Sequence, residues 1–185
     1  MIGYAFCGSF CTIARSIKVL RSLVAEGNSV LPIMNESVYT TDTRFGRAQD
    51  TVKTVEEICG RPVIHTIVEA EPIGPDIDLD MLVVAPCTGN TLAKLAAGIT
   101  DSPVTMAVKA QLRKNRPVVI ALATNDALSA NLKNIGHMLS RKHVYFVPMR
   151  QDDPEGKPHS LVCEFDMLKS TMTSAFAGRQ KMPIF

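Results

Sequence analysis

A long apolar run, followed by a polar turn and an amphipathic segment, decides the fold. This stretch reads Met81-Leu-Val-Val-Ala-Pro-Cys-Thr-Gly-Asn-Thr-Leu-Ala-Lys-Leu-Ala-Ala-Gly-Ile-Thr100. The uninterrupted apolar residues at 81–85 are typical of a strand buried on both faces of a parallel sheet, and Pro86 is expected to end that strand. Residues 88–91 form a short polar turn, and the apolar residues at helical spacing from Leu92 onward predict a helix.

The polar turn at 88–91 lies where a helix begins. Free backbone N–H groups and the positive end of the helix dipole make such a position suited to an anion or to the polar edge of a ring. The alternative is an ordinary strand–helix turn that is capped by a threonine or an asparagine. A second turn of the same kind near the N-terminus favours the functional interpretation.

Strand-like runs alternate with helix-like segments from one end of the chain to the other. The predicted strands are 2–6, 29–34, 62–67, 81–85, 117–123 and 144–147, the last of which precedes a loop at 148–160. The predicted helices carry apolar residues at helical spacing within 13–24, 45–58, 92–99, 103–115, 128–139 and 161–176, with Ser160 capping the final one. Gly27 and Gly60 are expected to end the first two helices, and Pro32 indicates an edge strand or a bulge.

This alternation predicts an α/β fold. We expect a single domain over residues 1–185, with a doubly wound, mostly parallel, Rossmann-like sheet and helices on both faces. In such folds ligands bind beyond the carboxyl ends of the strands. Polar segments fall at four of these ends, namely 7–12, Ser37, 88–91 and 124–126. They are expected to meet in one crevice that offers hydroxyls, amides and backbone N–H groups.

Composition and charge exclude several classes of protein. With 46% hydrophobic and 21% charged residues among 185, the chain can form a packed core and is not disordered. A net charge of +2 predicts no nucleic-acid partner. No apolar stretch is long enough for a membrane span, and no signal peptide is evident. The five scattered cysteines predict reduced thiols in a cytoplasmic protein without a metal site.

The turns also limit the chemistry of the ligand. A single glycine in Gly8-Ser9 suits a mononucleotide phosphate better than a pyrophosphate, because the Gly-x-Gly-x-x-Gly and Gly-Lys-Ser/Thr patterns are absent. Asn90 and Thr91 offer the neutral donors and acceptors that a flavin ring edge requires. Each turn also has a purely structural alternative, such as Asp126 capping a helix that begins near Leu128. The histidines lie outside these turns, so the catalytic acid and base stay unknown.

Three motifs resemble those of a known family. The segment Ala85–Asp101 resembles the Pro-Ala-Ser-Ala-Asn-Thr signature of the flavoprotein family of homo-oligomeric, flavin-containing cysteine decarboxylases. Gly8-Ser9 matches the N-terminal phosphate turn of that family, and Ala123-Thr-Asn-Asp126 lies where its Pro-x-Met-Asn motif falls. The stretches at 41–46, 100–104, 109–110, 124–128 and 145–148 resemble the branch of the family that makes pyridine-2,6-dicarboxylate.

The resemblance implies a cofactor, a substrate and partners. It implies FMN as the cofactor, a small dicarboxylate of the dihydropyridine type as the substrate, and further copies of the chain together with a separate NAD(P)-binding subunit as the partners. By motif position, the phosphate region involves Gly8, Ser9, Phe10 and Ser37, the ribityl chain and ring involve Thr88, Gly89, Asn90 and Thr91, and the substrate involves Asn125 with Asp126 beside it.

Arg44 is a further candidate for binding this substrate. It lies in a polar loop after the second predicted strand, near the expected mouth of the crevice. A guanidinium can hold one carboxylate through two hydrogen bonds. The alternative is a solvated arginine at the start of a helix.

Departures from the family signature keep other functions open. Thr-Gly replaces Ser-Ala in the signature, and the decarboxylase histidine has no clear counterpart. An oxidoreductase subunit that aromatises a dihydropyridine dicarboxylate is therefore favoured. The alternatives are an FMN-dependent decarboxylase of cysteine-ended substrates, a flavin prenyltransferase, and a non-catalytic partner of the NAD(P)-binding subunit.

Overall fold

A sheet of buried strands forms the centre of the fold, in a computed structural model that describes all 185 residues. The strands are β1 (Ile2–Phe6), β2 (Val30–Met34), β3 (Met81–Cys87), β4 (Val118–Thr124), β5 (Val144–Phe146), β6 (Met149–Arg150) and β7 (Leu161–Cys163). The helices are α1 (Phe10–Ala25), α2 (Glu36–Thr40), α3 (Ala48–Cys59), α4 (Ile67–Ala70), α5 (Gly89–Ala97), α6 (Pro103–Arg113), α7 (Leu132–Leu139) and α8 (Leu168–Phe176), the last preceded by a 3₁₀ turn at Phe165–Met167.

The strand order confirms the predicted α/β class. Strands β2, β1, β3 and β4 follow one another in parallel. The far edge of β4 is shared, because β5 pairs in parallel with Val118–Ile120 while β7 pairs antiparallel with Ala123 and Thr124. Strand β6 then pairs antiparallel with β7. Every residue of β1, β2 and β3 is buried, so helices and loops cover both faces of the sheet.

The helix ends follow from local sequence. Gly60 follows α3 directly, and Gly27 follows α1 after one intervening residue. They adopt φ values of +65° and +86°, a conformation that glycine reaches without strain. Helix α6 begins with Pro103 behind a capping box formed by Ser102 and Thr105. The positions predicted for these three ends are confirmed.

The decisive stretch differs from its prediction at Pro86. Strand β3 does not end there but continues to Cys87, with a bulge between Val84 and Cys87. A proline lacks only the N–H donor, and the Pro86 carbonyl oxygen still accepts a hydrogen bond from the Cys7 N–H at 3.1 Å. The predicted turn at 88–91 is already helical, since α5 begins at Gly89 and Thr88 caps it.

The predicted strand at 62–67 is wrong. Only Ile64 pairs with the neighbouring strand, through an isolated parallel bridge to Ile33. Thr66 and Glu69 then form a capping box that starts α4. The segment after β2, in which the sequence predicts no helix, contains the short helix α2. With one bridge on its outer side, β2 is the edge strand that Pro32 indicates.

The C-terminal third also needs correction. Residues 144–147 do not contain the last strand, because β6 and β7 form a hairpin from the segment predicted as a loop and a helix start. Ser160 therefore precedes a strand and caps no helix. Helix α7 begins at Leu132 behind Asn131, so Asp126 is not a helix cap, and the side chain of Leu132 is 49% exposed.

Candidate functional site

A cavity of about 620 Å³ opens at the carboxyl ends of the central strands. Its volume lies within the range of small-molecule sites. The lining residues come from the turns after β1, β3 and β4, the loop after α2, and the β6–β7 hairpin. They are Gly8, Ser9, Phe10, Cys11, Thr12, Arg44, Phe45, Thr88, Gly89, Asn90, Ala123, Thr124, Asn125, Asp126, Asp152, Lys157, Ser160 and Val162.

Nine of the eleven predicted site residues line this cavity. They are Gly8, Ser9, Phe10, Arg44, Thr88, Gly89, Asn90, Asn125 and Asp126. Ser37 and Thr91 lie just outside the lining. The Ser37 hydroxyl faces Gly8, and the buried Thr91 hydroxyl accepts a hydrogen bond from Thr88 Oγ1 at 3.0 Å. Each therefore supports a residue of the lining.

The turn after β1 is shaped closely around a glycine. A Cβ at Gly8 would lie 3.0 Å from Ser37 Oγ and 3.4 Å from the Phe10 ring. The backbone N–H groups of Gly8, Phe10 and Cys11 have no hydrogen-bond partner within the chain. Unpaired N–H groups beside a helix start are donors for an anion.

The turn after β3 is built more tightly still. A Cβ at Gly89 would lie 2.5 Å from Thr124 Oγ1, 2.6 Å from Asn131 Nδ2 and 2.8 Å from Asp126 Oδ1. The glycine thus lets the start of α5 approach the turn after β4. Thr88 caps the helix by accepting a hydrogen bond from the Thr91 N–H at 3.1 Å.

Asp126 is the centre of a hydrogen-bond network. Thr124 Oγ1 donates to one carboxylate oxygen at 2.6 Å, and Asn131 Nδ2 donates to the other at 2.8 Å. Asn134 Nδ2 in turn donates to Asn131 Oδ1 at 2.8 Å. The exposed side chain of Asn125 makes no hydrogen bond in this network and is free to bind a ligand.

Sequence reasoning misses the wall that the β6–β7 hairpin contributes. Asp152, Lys157 and Ser160 reach the cavity from a segment that the sequence predicts as a loop and to which it assigns no residue of the site. The antiparallel pairing of Leu161 and Val162 with the end of β4 places them there. No short-range sequence pattern predicts such a pairing. The charged residues that flank Pro154 and Gly156 do indicate that the tip of the hairpin is exposed to solvent.

Cys11 is the one cysteine in the lining of the cavity, and its side chain is exposed. All five cysteines are free thiols. Cys7 and Cys87 are buried beneath the cavity, and their mutual hydrogen bond, together with burial, raises the pKa of Cys87. No histidine lines the cavity. His65 instead stacks on Tyr39, with ring centroids 3.8 Å apart, and its Nδ1 lies 3.1 Å from Glu69 Oε2.

Comparison with known proteins places this arrangement in a family. The family model described as Flavoprotein matches residues 1–176. The chain belongs to the flavoprotein family. Flavoprotein relatives of similar length include the dipicolinate synthase B subunit of Bacillus subtilis (strain 168), which is 45% identical over 99% of this chain and 92% of that protein.

Solved structures of flavoproteins agree with the fold. The dipicolinate synthase B subunit from Bacillus halodurans C has a TM-score of 0.91 and 40% identity, with 99% of this chain and 94% of that chain covered. The FMN-dependent cysteine decarboxylase SpaF has a TM-score of 0.72 and 20% identity, with 95% and 94% covered, and so shares the fold. In this flavoprotein, none of the helices has the length and apolarity to cross a membrane.

Proposed function

We propose that this chain is the B subunit of a dipicolinate synthase. It binds FMN and acts with a separate NAD(P)-binding protein, the A subunit of dipicolinate synthase, to form dipicolinate from a dihydrodipicolinate-type precursor during sporulation. The observation that carries the proposal is the cavity into which the three polar turns converge, in a chain that is similar over nearly its whole length to the B subunit of Bacillus subtilis. A cytoplasmic homo-oligomer is part of the proposal.

The cavity has the donors that FMN requires. Gly8 leaves room for a phosphate where a Cβ would meet Ser37 and Phe10, and the unpaired N–H groups of the same turn point to an anion. Thr88 and Asn90 offer neutral polar groups on the neighbouring turn. The isoalloxazine ring, when bound, supplies a hydride acceptor. We assign the phosphate to Gly8, Ser9, Phe10 and Ser37, and the ribityl chain and ring to Thr88, Gly89, Asn90 and Thr91.

The substrate side of the cavity is assigned to Arg44, Asn125 and Asp126. Arg44 is exposed, and its guanidinium carbon lies 4.9 Å from the centroid of the Phe45 ring, which holds the cation at the cavity wall. Asn125 offers a neutral amide to the ring or to a carboxylate. Asp126 contributes by fixing the turn, because both of its carboxylate oxygens already accept hydrogen bonds.

The Arg44→Ala variant is expected to raise KM for the dihydropyridine substrate about tenfold. A charge-assisted hydrogen bond to a carboxylate contributes on the order of 1.5–3 kcal/mol, which is about tenfold or more in affinity. The assay uses the NAD(P)-binding partner at saturating cofactor, and Arg47→Ala is the control, since Arg47 is paired with Asp50 outside the cavity. An unaltered KM in Arg44→Ala contradicts the assignment.

The chain by itself lacks some of the groups that the reaction needs. Aromatising a dihydropyridine removes a hydride and a proton, and the lining of the cavity contains no histidine that could accept the proton. The Asp126 carboxylate is engaged on both oxygens, and the Asp152 carboxylate is paired with Lys157. We therefore assign completion of the catalytic set to the NAD(P)-binding partner or to a second copy of this chain.

The proposed function is tested by comparing the isolated chain with the two-component mixture. The purified chain is expected to be yellow, to gain a flavin absorption band with added FMN, and to produce dipicolinate at a substantial rate only when the NAD(P)-binding partner is present. Dipicolinate is followed by its ultraviolet absorbance. Turnover by the isolated chain at the rate of the mixture contradicts the need for the partner, and turnover by the mixture without any bound flavin contradicts the cofactor.

A further inference from the structure

The β6–β7 hairpin contributes a second cation to the cavity that Arg44 lines. Its strands are anchored to the sheet through the pairs Ala123–Val162 and Thr124–Leu161. The segment between β6 and β7 carries Lys157 to the cavity wall. The hairpin therefore fixes the backbone position of Lys157 relative to the turn that contains Asn125.

Lys157 and Arg44 reach the cavity from different parts of the fold. Arg44 lies in the loop after α2, which follows the edge strand β2, whereas the hairpin is attached to β4. Strands β2 and β4 are separated by three strand spacings, which amounts to roughly 14 Å. Long side chains that come from separate elements can hold an elongated dianion between them, which two neighbouring cations cannot do.

Four charged side chains line the cavity, two of each sign. Asp126 is committed to Thr124 and Asn131. Asp152 Oδ2 lies 3.3 Å from Lys157 Nζ, and these side chains are 34% and 54% exposed. Such an exposed pair contributes little to stability. Lys157 thus holds a carboxylate already, in a contact that another carboxylate can replace.

The Asp152 carboxylate is stabilised in its ionised form within this pair. Partial desolvation works against its charge, but hydrogen bonds from Ser160 and Lys157 outweigh that effect and lower the pKa of Asp152. The cavity therefore offers Lys157 an internal anion at neutral pH, which competes with any carboxylate that enters. Removing the negative charge of Asp152 is expected to release Lys157 for a ligand.

We propose that Lys157 binds the second carboxylate of the dicarboxylate, exchanging Asp152 for it, while Arg44 binds the first. This assignment rests on the proposed function and adds an explanation of substrate specificity. Two cations, one for each carboxylate, select a ring with two carboxylates over a ring with one. Lys157 is the side chain that distinguishes dipicolinate from picolinate, and Asp152 keeps it in place until the ligand enters.

Titration of dipicolinate into the FMN-loaded chain, with the NAD(P)-binding partner present, tests the exchange. Lys157→Gln is expected to weaken dipicolinate binding about tenfold, the loss of one charge-assisted contact, and to reduce the preference over picolinate. Lys157→Arg is expected to keep most of the affinity. Asp152→Asn is expected to strengthen binding by about threefold, a gain that a purely structural role of the pair does not produce. Lys133→Gln on the exposed face of α7 is the control.

Each contrary outcome has its own meaning. If the wild-type protein does not bind dipicolinate, the proposed function fails, and the assignment of Lys157 fails with it. If the wild type binds but Lys157→Gln binds as tightly, the proposed function stands and the assignment of Lys157 is wrong. A loss of FMN affinity rather than dipicolinate affinity in Lys157→Gln contradicts the assignment too, because it places the lysine at the cofactor phosphate. Weaker binding by Asp152→Asn contradicts the exchange.

Discussion

The Gly8→Asp variant is expected to lose FMN binding, with affinity lowered roughly 100-fold or more, about 2.7 kcal/mol. Gly8 lines the cavity in the turn that carries unpaired N–H groups, and an added Cβ already lies at 3.0 Å from Ser37 Oγ. A carboxylate at this position occupies the space assigned to the phosphate and repels it. The measurement is a titration of the apoprotein with FMN, followed by flavin fluorescence or absorbance.

The Gly8→Asn variant separates the steric effect of a side chain in this turn from the effect of its charge on FMN binding. Asparagine has nearly the same size as aspartate but no charge, so the difference between the two variants measures the electrostatic part of the loss. We expect Gly8→Asn to bind FMN weakly and Gly8→Asp to bind it more weakly still. An unchanged titration of Gly8→Asp rules out the phosphate site at this turn.

The Gly89→Ala variant is expected to destabilise the protein by about 2 kcal/mol, within the range for overpacked sites. The new Cβ would lie 2.5–2.8 Å from Thr124 Oγ1, Asn131 Nδ2 and Asp126 Oδ1. These atoms bind one another, so they cannot move away without breaking hydrogen bonds. For a chain of this size the loss corresponds to a fall in Tm of roughly 4–8 °C. Thermal unfolding followed by circular dichroism measures it.

Gly136→Ala is the matched control with the opposite sign. Gly136 lies inside α7, and an added Cβ there meets no atom within 4 Å. Alanine is the better helix former, so this variant is expected to gain about 0.5–1 kcal/mol. If Gly89→Ala is as stable as the wild type, the close approach of α5 to the turn after β4 is not a constraint on the fold.

The sequence predicts the elements whose signals are local. The structure has strands β1, β3 and β4 at the predicted apolar runs, and it has Gly27 and Gly60 at the predicted helix ends. Because parallel strands bring their carboxyl ends to one edge, three turns that are far apart in the chain are expected to meet, and Gly8, Asn90 and Asn125 do line the same cavity.

The elements that the sequence does not reveal depend on distant partners. The run at 62–67 resembles a strand, but its pairing with β2 stops after Ile64 because the Thr66–Glu69 capping box begins a helix. Strand β7 has only three residues and exists because the end of β4 offers a free edge. The sequence does not reveal Lys157 as a cavity residue for the same reason, since its position at the cavity depends on the pairing of β7 with β4.

The divided edge of β4 has a consequence for how such proteins diversify. The strands from β2 to β5 pair in parallel without the hairpin, which adds to β4 through two residue pairs and packs Met149, Leu161 and Cys163 against the core. Insertions, deletions and charge reversals within the exposed residues 154–158 are therefore expected to leave the hydrophobic interior and the glycine turns untouched. The segment between β6 and β7 can therefore change during evolution while the turns after β1, β3 and β4 stay the same. New ligand preferences can arise in this way without a change of fold.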